Sequence, residues 1–124
     1  MTVLVDSGVL IEVARGRDRE IVARWEDLAR SEHVLLCSPV SVAEVWQGAR
    51  PNEHAALTDL FRTLTCAAAD ARTGFRAGEY LRQYRKSHSV ELGDALTAAA
   101  AVENSAVLWT RNRKHYPMKG LSFY

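Results

Sequence analysis

The stretch Thr2–Arg15, "TVLVDSGVLIEVAR", decides the fold. Thr2 to Val5 is a short, β-branched apolar run and reads as a strand. Asp6 closes it. Ser7 offers an N-cap hydroxyl, and "SGVLIEVAR" reads as a helix entered through that serine. The strand is too apolar to face water and leads straight into a helix, which predicts a covered parallel strand.

The same alternation continues outward. Ile21, Val22, Trp25, Leu28 and Ala29 recur at helical spacing between Arg19 and Arg30. "HVLLCS" predicts a second strand. "SPVSVAEVWQGAR" predicts a third helix, with Ser38 as cap, Pro39 at its first position and Gly48 at its end. Pro51 opens a fourth helix carrying Ala55, Leu57, Leu60, Phe61 and Leu64, and "LTCAA" holds a brief strand. Asp70 caps a long fifth helix to about Lys86, with Phe75, Tyr80, Leu81 and Tyr84 expected inward. Leu92 to Glu103 is an alanine-rich sixth helix, "AVLWT" a further strand, "RNRKHYPMKG" a basic loop and "LSFY" a closing strand. Strands alternating with helices predict an α/β protein, its mostly parallel sheet flanked by helices on both faces.

Composition is consistent with one domain over residues 1–124, with 48% apolar and 25% charged residues. The net charge of +1 gives no global attraction to nucleic acid, and leaves room for a local basic face. Cys37 and Cys66 sit in apolar surroundings and are expected to be buried thiols; no C-x-x-C or zinc spacing is present. The first residues lack a basic leader and no apolar run is long enough to span a bilayer, so a cytoplasmic protein is expected.

Three acids occupy related places. In open parallel sheets, sites form beyond the C-terminal ends of strands. Asp6 ends the first strand. Glu44 lies in the first turns of the helix after the second. Asp94, in "ELGDALTAAAA", stands in the first turn of an otherwise apolar helix. Thr110 and Asn112 follow the last central strand. Glu44 points off the apolar face formed by Val42, Val45, Trp46 and Ala49. Each acid has a plain alternative: Asp94 complements a helix dipole, Asp6 makes a cap or turn, and Glu44 is a solvated surface acid. Clustered carboxylates repel, however, and all-oxygen ligands favour a hard cation such as Mg²⁺ or Mn²⁺. Such an ion can activate water and stabilise a leaving oxygen at phosphorus.

Asp6, Glu44 and Asp94, with Thr110 and Asn112, form a pattern that resembles the PIN-domain nucleases, and more closely the VapC-type toxins of bacterial toxin–antitoxin pairs. "VLVDSGVLIE", "SVAEVWQGA", "ELGDALTAAAAVE" and "LWTRNRKHYP" carry the likeness across essentially the whole chain. The resemblance implies a PIN-like three-layer fold. It implies a metal-dependent endoribonuclease with Asp6, Glu44 and Asp94 holding Mg²⁺ or Mn²⁺, an RNA substrate, a VapB-like antitoxin and a toxin homodimer. The family often has a fourth acid after the final threonine. Here Asn112 stands in that region, so one well-occupied metal position is expected.

The loop after the last central strand is basic. Arg111, Arg113, Lys114 and His115 adjoin the expected site and are candidates for RNA phosphate contact. The bases of the fifth helix are read as surface cover. Trp109 is expected in the core, whereas Trp25 and Trp46 either pack inside or anchor a partner. A haloacid-dehalogenase-type phosphatase would want a second aspartate two residues after Asp6, where Gly8 stands. A phosphorelay receiver would want paired early acids. A catalytically silent RNA- or protein-binding module is the remaining alternative, against which the three intact carboxylates speak.

Overall fold

Four parallel strands form the central sheet: β1 (Thr2–Val5), β2 (Val34–Cys37), β3 (Thr65–Cys66) and β4 (Val107–Trp109). The computed structural model describes residues 1–124. Helices α1 (Ser7–Arg15) and α2 (Arg19–Ala29) follow β1, and α3 (Pro39–Gln47) and α4 (His54–Arg62) follow β2. The long α5 (Ala71–His88) and α6 (Leu92–Glu103) join β3 to β4. The sheet order is β3-β2-β1-β4, with Leu4 opposite both Leu36 and Leu108.

Strand alternation divides the interior into two cores, one on each face of the sheet. Leu4, Leu36 and Leu108 meet the alanines of α6 and the inner side of α5. Val3, Val5, Cys37 and Trp109 meet Val9, Leu10, Trp25, Val45 and Leu57 from α1 to α4. Three layers result. Ala95, Ala98, Ala99 and Ala101 are fully buried, and their small side chains let α6 lie close to its neighbours. Ala98→Leu is therefore expected to destabilise by about 2 kcal/mol through overpacking. Denaturant unfolding measures this, and an unchanged midpoint would show slack in the packing.

Several local expectations change. Asp6, not Ser7, caps α1: its backbone is extended and its carboxylate accepts from Ser7 N at 2.9 Å. Pro51–Glu53 forms a 3₁₀ turn before α4 rather than its first turn. α5 runs to His88 and stops at Ser89, whose φ is +53°. Phe75 is 77% exposed. Thr73 and Ala77 face inward on either side of it; a residue two positions from both points the opposite way on a helix. Cys66 is exposed on the edge strand, while its ladder partner Cys37 is buried. Burial, then the adjacent Cys66, pushes the Cys37 thiol up to about 12. "LSFY" adds a single bridge, Leu108 to Phe123, instead of a strand. β4 offers it only three residues, because Thr110 leaves the ladder to bond Asp6. Trp25 and Trp109 are core residues; Trp46 lies outside, stacked on His54 at 4.5 Å.

Candidate active site

The chain leaves β1 for β2 and β3, then returns across β1 to build β4. Strand order therefore reverses at β1, and a crevice opens beyond the ends of β1 and β4. Asp6 and Thr110 are the next residues after those two strands. The ladder pairs Val5 with Trp109, and Asp6 N donates to Trp109 O at 2.9 Å, so the two side chains emerge together. Thr110 Oγ1 donates to Asp6 Oδ2 at 2.8 Å. Tyr116, buried in the α6 core, donates its hydroxyl to the same oxygen at 3.1 Å.

Asp94 enters from α6. Its Oδ2 accepts from the Glu91 backbone N–H at 3.0 Å, so it does serve as a helix-cap acid. The same oxygen lies 3.4 Å from His115 Nδ1. Glu44 enters from α3, whose start is set by Pro39 and by the Ser38 hydroxyl accepting from Ser41 N at 3.2 Å. The residue is exposed overall, but its carboxyl end is sheltered: a Cβ placed on Gly93 would stand 3.4 Å from Glu44 Oε2.

Electrostatics tie the three acids together. Partial burial and then the Asp6 charge hold the Glu44 carboxyl above its ordinary range, opposed by a hydrogen bond with the Ser7 side chain; Asp94 and Glu91 add smaller upward pushes. Burial, followed by Asp6, Asp94 and Glu44, drives the Tyr116 hydroxyl far above the usual phenol range. It remains a protonated donor. Asp6, Glu44 and Asp94 thus share one acidic crevice. No three histidine, cysteine or acidic side chains are drawn closely enough together to hold an ion as they stand. Glu91 and Tyr116 join the crevice without having been singled out from sequence, and Ser7, read there only as a helix cap, joins them. The E-x-x-D spacing before an apolar run was a usable signal for Glu91, whereas none marked Tyr116.

Residues 3–121 match the family model of the PIN domain. The chain belongs to the PIN-domain family. Ribonuclease VapC10 of Mycobacterium tuberculosis is 39% identical over 118 residues, which cover 94% of this chain and 86% of that relative. Ribonuclease VapC19 of the same organism is 30% identical over 122 residues, covering 93% and 92%. Among solved structures, VapBC2 from Rickettsia felis bound to a promoter DNA fragment superposes with a TM-score of 0.83 at 20% identity, over 100% of this chain and 98% of that one. FitAcB from Neisseria gonorrhoeae gives 0.69 at 21% identity, over 98% and 96%. These last two likenesses concern the fold.

In this PIN domain the basic loop after β4 is held largely by its own chain. Arg111 pairs with the buried Glu12 at 3.3 Å, and Arg17 meets the same carboxylate at 3.2 Å. Arg113 lies 5.0 Å from the centre of the Phe123 ring and reaches Tyr124 O at 3.4 Å. His115 faces Asp94. Lys114 is exposed and makes no ion pair within the chain. Asn112 is exposed too; its backbone N–H donates to Thr110 Oγ1 at 3.0 Å, which aims the threonine's own hydrogen at Asp6. No helix is long and apolar enough to cross a membrane.

Proposed function

We propose that this PIN domain is a metal-dependent endoribonuclease and the toxin of a type II toxin–antitoxin pair, acting in the cytoplasm. The observation that carries the reading is the meeting of Asp6, Glu44 and Asp94 at the sheet's switch point, where partial burial and then the Asp6 charge raise Glu44. The ribonuclease names of the VapC relatives support it.

The donor set suits a hard divalent ion. Every donor is oxygen. Asp6 and Asp94 each have one oxygen engaged by two groups of the chain and the other less encumbered. Mg²⁺, with Mn²⁺ as a substitute, keeps several waters and binds through few carboxylates plus substrate phosphate, so it does not require a closed protein cage. When bound, such an ion supplies Lewis acidity and an activated water at phosphorus. Asp6 and Asp94 would hold it, with Glu44 as the third acid. Thr110 and the Asn112 backbone keep Asp6 aimed. Lys114 is the freest base for a phosphate, and Arg111, Arg113 and His115 can reach one only beside their present partners. Labelled RNA incubated with Mg²⁺ or Mn²⁺ should be cut and should survive in EDTA. RNA binding without cutting by the metal-loaded protein would make this a binding module instead.

A groove lies between α1, α3 and α4. Ile11, Ala14, Val45, Ala49 and Leu57 line it, and Glu44, Glu53 and Arg15 border it. A VapB-like antitoxin segment with an apolar face and a basic residue turned toward the two acids complements the groove, and Glu44 belongs to groove and crevice alike. Ala14 is exposed, so Ala14→Glu should prevent copurification with a co-expressed antitoxin while RNA cleavage persists. Retained copurification would place the antitoxin elsewhere.

A further inference from the structure

We infer that the Tyr116 hydroxyl is a positioning group for Asp6: it helps occupy Oδ2, so that Oδ1 would be the oxygen left to face an ion. The inference rests on the metal-dependent reading above and adds a residue to it.

A carboxylate oxygen has two in-plane lone pairs. Those of Asp6 Oδ2 are taken by Thr110 Oγ1 at 2.8 Å and by Tyr116 at 3.1 Å. Oδ1 accepts only Ser7 N, at 2.9 Å, and keeps a lone pair free. Neither hydroxyl is free to turn away. The Thr110 oxygen accepts from Asn112 N, which leaves its hydrogen for Asp6. Tyr116 is 4% exposed, and its ring packs among the buried alanines of α6 with Met118. Of the donors to Oδ2, Tyr116 is the one anchored in the core. The neighbouring residue repeats the arrangement on the other aspartate. His115 stands beside Asp94 Oδ2, whose second contact is the Glu91 N–H. The short 3₁₀ turn Arg113–His115 and its C-cap Tyr116 therefore deliver two consecutive side chains, one to each aspartate, on the oxygen away from the free lone pair. The segment expected from its charge to meet RNA also holds the carboxylates in register.

Tyr116→Phe removes one hydrogen bond and leaves the ring. Groups that orient a metal's ligands typically contribute about 10- to 100-fold in metal affinity. Mn²⁺ binding to the free protein, followed by the electron paramagnetic resonance signal of unbound Mn²⁺, should weaken by about 10-fold in Tyr116→Phe. In cleavage assays kcat should fall, with KM for RNA within about twofold of wild type and partial recovery at high Mn²⁺. The thermal midpoint should stay close to wild type; a substitution that merely loosened the core would lower it without selectively changing Mn²⁺ affinity. Unchanged Mn²⁺ affinity and kcat in Tyr116→Phe would overturn the positioning role alone. Wild-type protein that binds Mn²⁺ no better than Asp6→Asn would overturn the metal reading, and this inference with it.

Discussion

Asp6→Asn and Asp94→Asn should each lower metal-dependent RNA cleavage by about 10³-fold or more, equivalent to roughly 4 kcal/mol of barrier. Both substitutions keep shape and remove charge. In Asp94→Asn the amide oxygen can still accept from Glu91 N, so the α6 cap survives. In Asp6→Asn one amide oxygen must replace two carboxylate oxygens that now serve Ser7 N, Thr110 and Tyr116, so some local stability is lost. Relief of repulsion with Glu44 works in the opposite direction. Both variants should therefore remain folded, which circular dichroism and thermal unfolding can check. Cleavage by either folded variant at the wild-type rate would remove that aspartate from the chemistry.

Mg²⁺ or Mn²⁺ should stabilise the wild-type protein by about 2.7 kcal/mol at 100 times its dissociation constant. For a chain of this size that is a thermal shift on the order of 10 °C. The sign of the pH dependence follows from Glu44. Its carboxyl is raised above the ordinary value of 4.5 by partial burial and by Asp6. A raised acid contributes most to stability below its unfolded value, and that contribution is lost as pH rises through the folded value. The ion-free protein therefore carries the full cost of burial and repulsion at a pH above the folded value, and less of it at a more acidic pH. The cation's stabilising effect should be larger at the higher pH. Glu44→Gln should raise the ion-free midpoint at neutral pH and shrink the cation's increment. Calorimetry at both pH values, with and without the ion, measures all of this; a midpoint indifferent to Mg²⁺ and Mn²⁺ at either pH would contradict it.

How far the site was legible from sequence depends on sequence distance. Asp6, Glu44 and Asp94 could be placed on one rim because each position is defined locally: a strand end, or the opening turns of a helix next to a strand. Parallel pairing then puts such positions on the same edge of the sheet. The loop after β4 was read from its charge, and charge does not reveal partners. Arg111 meets Glu12, His115 meets Asp94 and Tyr116 meets Asp6 through the closing of the sheet, which no local pattern encodes. Phe75 was misplaced for a different reason: hydrophobicity suggested the interior, while helix phase, set by Thr73 and Ala77, put it outside.

The amino-acid order alone determined the succession of strands and helices up to β4, the parallel sheet and the rim on which the acids would stand. Apolar periodicity and capping residues act over one or two turns, and parallel strands need covered crossovers. Only the tertiary structure decided which hydroxyl holds which carboxylate oxygen, which bases stay free for phosphate, and that Glu91 joins the crevice. Those contacts span the chain, and they depend on ångström-scale distances set by packing on both faces of the sheet.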